Sequence, residues 1–258
     1  LAYGFNGGSG EFVEINDYKG ELIQKLASPI EVDFTQKHLQ LKLDFTDDYG
    51  DPRNGLNLRI LRDSFPSVNQ GAEYDSMTFA LTYYLPIPED NTLAFHYFRS
   101  DAYVSQPGNT DLESLKTTQG FYACGGIATC EAATLKSAQN QLNANKNGSS
   151  KSLGGADRLR SYPLSRYQSA HTLFYGTELR WNFSTENTKL DYLLLQDVQQ
   201  ALQAVFFWEQ GSVAEEASQI GETIRSSYGS GIRLVTKSGS VYKFEMATGD
   251  EGAEMILF

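Results

Sequence analysis

The sequence predicts an all-β protein: an antiparallel transmembrane β-barrel of about twelve strands, within a range of roughly ten to sixteen. Three observations lead there. Residues 172–183 alternate without a break, with Leu173, Tyr175, Thr177, Leu179, Trp181 and Phe183 on one side and Phe174, Gly176, Glu178, Arg180 and Asn182 on the other. That is the period of a strand. Two opposite charges on one side are costly in a dry sandwich core, and natural where one side meets lipid and the other a wet lumen. The same inversion recurs at 38–46, where Leu39, Leu41, Leu43 and Phe45 oppose Gln40, Lys42, Asp44 and Thr46. Finally, 15 Tyr and 15 Phe suit interfacial girdles.

Composition bounds the alternatives. A chain of 258 residues closes one barrel or one core, so a single domain over 1–258 is expected. A formal charge of -11 and a pI near 4.8 argue against a nucleic-acid partner, which needs a basic stripe. No continuous apolar run reaches the ~20 residues of a membrane helix. A barrel stays open, because only every second residue of its strands faces lipid. The chain begins at Leu1 with neither an initiator methionine nor a leader, so any secretion signal is expected to have been removed or to lie outside the sequence. Cys124 and Cys130 sit in one Gly/Ala/Thr segment away from any histidine, which favours a local disulfide formed in an oxidising compartment over free thiols. So short a loop adds about 2 kcal/mol.

Taken in order, residues 1–5 read as a first strand broken by Gly7-Gly8-Ser9-Gly10, followed by candidates at 11–17 and, more weakly, 21–26. The 38–46 strand ends in a dense turn cluster, Asp47-Asp48-Tyr49-Gly50-Asp51-Pro52-Arg53-Asn54-Gly55. The next strand sets Leu56, Leu58 and Ile60 against Asn57 and Arg59. Then Met77, Phe79, Leu81, Tyr83 and Leu85 alternate with Thr78, Ala80, Thr82 and Tyr84 before a turn at 86–90 and a returning strand over 92–105. Residues 106–171 break the rhythm: they form a long Gly/Ser/Asn/Gln-rich loop holding both cysteines and a short helix expected at 131–145, and loops of this length are commonly functional. After the 172–183 strand, 190–202 reads as a turn with a short helix. Residues 204–211, 228–236, 240–248 and 254–258 complete a terminal meander.

The motifs in this frame carry a family resemblance. Leu153-Gly154-Gly155 with Leu159-Arg160-Ser161-Tyr162 resembles the LGG…LRGY loop of the BamA-type superfamily of outer-membrane assembly and translocation barrels, also called the bacterial surface antigen family. Phe45-Thr46-Asp47-Asp48 with Pro52-Arg53-Asn54-Gly55 is similar to its aspartate-rich turn. Tyr175-Gly176-Thr177-Glu178-Leu179-Arg180, Val205-Phe206-Phe207-Trp208-Glu209-Gln210-Gly211 and Tyr228-Gly229-Ser230-Gly231-Ile232-Arg233 resemble three of its strands, in the family's order. The resemblance implies that the loop folds into the lumen, with Gly154, Gly155, Leu159, Arg160, Ser161 and Tyr162 as its motif. It also implies that Arg160 meets the lumen-wall residues Glu178 and Glu209, with Arg180 on the parity of Glu178; the alternative is an exposed, unpaired loop cation. Three departures stand out. Ser161 replaces the motif glycine, Glu209 replaces an aspartate, and too few residues precede Gln40 for about sixteen strands. The form expected is a reduced barrel without periplasmic POTRA domains, or one whose early strands lie outside the sequence.

Enzyme chemistry is not expected. His38, His96 and His171 fall on different strands without ligand spacing, so no metal is predicted, and no nucleophile elbow, phosphate loop or dinucleotide glycine pattern calls for a cofactor. The expected partners are outer-membrane lipid and a client polypeptide, in the bacterial outer membrane. The leading function is insertion or translocation of polypeptide. The alternatives are a passive pore, a membrane anchor such as the barrel of a patatin-like fusion, and a soluble sandwich or calycin-like barrel.

Overall fold

A computed structural model describes residues 2–16, 22–68, 70–183, 189–192, 195–236 and 240–257. Eleven strands carry it: β1 (Ala2–Asn16), β2 (Leu22–Asp44), β3 (Gly55–Phe65), β4 (Glu73–Ile87), β5 (Asn91–Gln106), β6 (His171–Asn182), β7 (Lys189–Tyr192), β8 (Leu195–Ala214), β9 (Arg225–Thr236), β10 (Val241–Gly249) and β11 (Gly252–Leu257). They form one sheet in the order β1-β2-β3-β4-β5-β6-β8-β9-β10-β11, with β7 paired to β8 beside this path. The described registers are antiparallel. The fold is therefore all-β, with eleven described strands where about twelve were expected.

Three sequence expectations shift. The Gly7–Gly10 cluster does not break a strand: Gly7 pairs with Thr35 and Gly10 with Val32 inside β1, because a glycine's backbone groups still pair in a ladder despite its entropic cost. The separate strands expected at 21–26 and 38–46 are one strand, β2. Of residues 190–202, expected as a turn with a short helix, 190–192 belong to β7 and 195–202 to β8, the other two lying outside the described residues; pairing across the ladder, Gln200 with Thr236 and Leu202 with Leu234, overrides local propensity.

The chain forms two compact units. The first comprises Leu1–Gln40, Arg62–Asp75 and Tyr103–Gly148. Within it, helix α1 (Leu112–Thr118) starts where Asp111 accepts the Glu113 N–H, an N-cap without which the first turn has no partner. The helix expected at 131–145 is longer, α2 (Ala128–Asn147), and stops where Gly148 takes φ 77° and its N–H returns to the Ala144 carbonyl. Cys124 and Cys130 are disulfide-bonded.

The second unit comprises Leu41–Leu61, Ser76–Ala102 and Ser149–Phe258. Here the usual burial pattern is inverted. Along β6, Thr172, Phe174, Gly176, Glu178 and Arg180 are buried, while Trp181 is 48% exposed. On β8, Val205, Phe207 and Glu209 are buried and Phe206 and Trp208 exposed; on β10, Glu245 and Ala247 are buried and Tyr242, Phe244 and Met246 exposed. The polar side of the strands is covered, and the apolar side is not. The cover is residues 149–170, whose Leu153, Leu159 and Tyr162 pack with Phe98 and Phe174. Among the described residues no helix is long and apolar enough to cross a membrane.

The aspartate turn between β2 and β3 is closed by carboxylates. Asp47 Oδ1 accepts the N–H groups of Asp48, Arg53 and Asn54 at 2.9–3.0 Å. Burial raises the Asp47 carboxyl, but the Asn54 and Arg53 amides outweigh it and hold the group below its ordinary range. Gly55 follows at φ 113°, where a Cβ would stand 2.2 Å from the Phe45 carbonyl oxygen. Replacing Gly55 by Ala is expected to cost about 1–3 kcal/mol in thermal unfolding; unchanged stability would contradict this tight crossing.

Candidate functional site

The covering loop is a small closed structure. Leu153 and Tyr167 exchange two backbone hydrogen bonds of 2.8 and 3.0 Å. Gly154 and Gly155 take φ 102° and 100°, which their lack of a side chain permits. Gly155 N–H reaches the Tyr162 carbonyl, and Tyr162 N–H reaches that of Leu159. Leu159 itself sits at φ 54°, fully buried, a conformation costing a bulky residue about 1–3 kcal/mol. Ser161 does not need the freedom of a glycine, since the positive φ falls on Leu159, and its N–H donates to Ser227 Oγ at 3.0 Å.

This tip delivers Arg160 to the polar face, where it is 6% exposed. Its Nε donates to Glu209 Oε1 at 2.7 Å, Nη1 to Glu245 Oε2 at 2.9 Å and Nη2 to Glu178 Oε2 at 2.9 Å. The Arg160 backbone N–H takes the second Glu209 oxygen at 2.8 Å. The guanidinium lies 3.6 Å above the Phe207 ring centroid, so a charge-assisted bond from each of its three nitrogens holds its edge and an aromatic face meets its plane.

Strand register explains why the wall has room. Glu209 stands opposite Gly176 on β6, Glu245 opposite Gly231 on β9, and Phe207 opposite Gly229. A Cβ at Gly231 would come within 2.7 Å of Glu245 Cγ, and one at Gly229 within 2.6 Å of Phe207 Cζ. Gly249 clears the loop in the same way, since its Cβ would stand 2.4 Å from Ser161 Oγ. Tyr162 OH then donates to the Ser226 carbonyl at 3.1 Å. At the loop's base, Arg166 Nε and Tyr167 OH both donate to Glu251 at 2.6 Å. Burial first, and then the Glu251 carboxylate, push the Tyr167 hydroxyl up to about 12.

Of the residues singled out from sequence, Gly154, Gly155, Leu159, Arg160, Ser161 and Tyr162 lie together in this tip, and Glu178 and Glu209 meet Arg160. Arg180 does not touch Arg160; its Nε shares Glu178, taking Oε1 at 2.8 Å. The third carboxylate, Glu245, was missed, although its alternation with Tyr242, Phe244 and Met246 put it on the wall side. Arg233, Gln203 and Asp51, which continue the polar face, were missed as well. The histidines stand apart, His38 with Asp63, His96 with Thr82 and His171 with Asp101. The site is a structural clamp in chemistry: one cation, three carboxylates and hydroxyl donors, arranged to hold a loop.

No family model matches the sequence, and comparison with curated proteins gives no match. Among solved structures the chain is similar to the crystal structure of BamA from Haemophilus ducreyi lacking POTRA domains 1-3, with a TM-score of 0.55 and 10% identity over 99% of this chain and 49% of that one. The chain thus spans about half the length of that crystallised chain, and the likeness is one of fold.

Removing Arg160 leaves three buried carboxylates facing one another. Arg160→Ala is expected to destabilise the protein by about 3–5 kcal/mol in denaturant unfolding. Arg160→Lys should recover only part of that, because an ammonium cannot present the fork that reaches three acceptors. Full recovery by lysine would show that charge alone suffices.

Proposed function

We propose that the chain is a β-barrel of the BamA kind in the bacterial outer membrane, closed by about twelve strands, which inserts polypeptide into that membrane or passes it across. The observation that carries this reading is the inverted burial of the second unit. Trp181, Phe206, Trp208, Tyr228, Phe244 and Met246 are exposed on strands whose charged sides are buried. Apolar surface left in water forgoes about 25 cal/mol per Å², and large exposed apolar patches mark sites that meet a membrane or a partner. A lipid annulus satisfies this face without any further protein. The fold likeness to BamA supports the same reading. Lipid and a client polypeptide are the partners; neither a cofactor nor an enzymatic reaction enters the proposal.

Insertion requires a seam that opens, and the proposal assigns that role to the first and last strands; a seam of few backbone bonds would part easily. Its outermost residues, Leu1 and Phe258, lie outside the described residues. A second reading, a pore plugged by the 106–171 loop, is favoured by a specific observation: the Arg160 tip occupies the polar face of β6, β8 and β10.

Three measurements divide the readings. Extraction only by detergent, with a gel shift on heating, is expected for a membrane barrel, and extraction in plain buffer would refute it. In planar bilayers a steady current that rises on Arg160→Ala identifies a plugged pore. Silence there, with client insertion into liposomes that a cross-linked seam abolishes, identifies an insertase.

A further inference from the structure

The second unit holds another charged cluster on the same face, joined to the first through Glu178. Arg180 gives Nε to Glu178 and Nη1 to the Pro52 carbonyl at 3.0 Å. Asp51, from the β2–β3 turn, accepts Gln203 Nε2 on Oδ2 at 2.7 Å. Its Oδ1 faces Arg233 Nη1 at 3.2 Å and Arg180 Nη1 at 3.6 Å, yet takes a hydrogen bond from neither. Arg233 is 2% exposed, gives Nη1 to Gln203 Oε1 at 3.0 Å, and its buried Nε has no hydrogen-bond partner among the described residues. Lys243 stands across from Arg233 in the β9–β10 register and adds a further cation. The cluster therefore offers a donor that Asp51 leaves unused, the Arg233 Nε, and a buried guanidinium with an idle N–H is costly.

The turn carrying Asp51 holds its own shape. Asp47 binds three backbone amides, Asp48 Oδ1 binds those of Gly50 and Asp51, and Thr46 Oγ1 donates to Asp44 and to the Asp48 carbonyl. None of these bonds uses the Asp51 carboxylate. Within the turn the carboxylate meets Arg53, whose Nε stands 3.5 Å from Oδ2, and its other charged neighbours, Arg180 and Arg233, lie on the strands, so it acts as a ligand while the loop behaves as a unit.

We propose that Arg180, Arg233 and Gln203 form a carboxylate-binding site that Asp51 fills as a built-in ligand, so that a carboxylate-bearing solute reaching this face competes with the turn. Two guanidinium groups and an amide fit a planar, two-oxygen acceptor. The inference rests on the second unit alone and does not require a membrane location.

Chemical rescue tests it. In Asp51→Gly the vacated space admits acetate, so thermal unfolding followed by the fluorescence of Trp181 and Trp208 should begin below wild type. About 0.1 M acetate should raise its midpoint by about 4 °C relative to chloride at equal ionic strength, by mass action on the folded state. Wild type, already occupied, should not respond, nor should Asp51→Gly combined with Arg233→Gln. An equal response in all three overturns the proposal, and a larger rescue by inorganic phosphate than by acetate overturns the carboxylate assignment. If Asp51→Gly does not fold, Asp51→Asn tests the latch: trypsin cleavage after Arg53 in the folded protein should be about tenfold faster than in wild type, as expected for losing a buried charge pair. Equal cleavage rates refute it.

Discussion

One guanidinium among three carboxylates sets the terms for the second unit. Ionised groups taken from water lose several kcal/mol of hydration each, and recover it only through close, well-aligned partners. Arg160 meets that condition with four charge-assisted bonds of 2.7–2.9 Å. Withdrawn, it would leave Glu178, Glu209 and Glu245 repelling one another. The clamp therefore offsets the left-handed backbone of Leu159 and keeps residues 149–170 over the polar side of the sheet. Counting the wider cluster, Arg160, Arg180 and Arg233 face Glu178, Glu209, Glu245 and Asp51, and the partly exposed Arg53 lies 3.5 Å from Asp51 as a fourth cation.

A β-sheet can build such a wall only if its strands make space for it. Directly opposed side chains lie about 5 Å apart, too close for two long charged groups and an inserted arginine. Glycine on the facing strand resolves the crowding at Glu209, Glu245 and Phe207. Because side chains alternate, the same strands must present their other set outward, and that set is aromatic and aliphatic. A charged buried side and an apolar exposed side are two consequences of one pleat.

Much of this was legible in the sequence because alternation is a local signal. The 172–183 pattern places Glu178 and Arg180 on the covered side before any coordinates, and the short spacing of Cys124 and Cys130 announces their disulfide. The pairing of Arg160 with Glu178 and Glu209 came from motif resemblance, since periodicity cannot say where a loop tip lands. Glu245, 85 residues from Arg160, and Gln203, 152 residues from Asp51, were out of reach for the same reason: their meeting is fixed by strand register. Residues 195–202 misled because the composition of the stretch around them suits a turn or helix, and only pairing with the neighbouring strand makes them extended.

The central claim is that the Arg160 tip is locked onto the wall rather than resting near it. Native-state amide hydrogen exchange reads this directly, since the Arg160 and Ser161 N–H groups are bound to Glu209 and Ser227. Both are predicted to exchange as slowly as the central amides of β6 and β8. Exchange at the rate of an exposed loop would contradict the account.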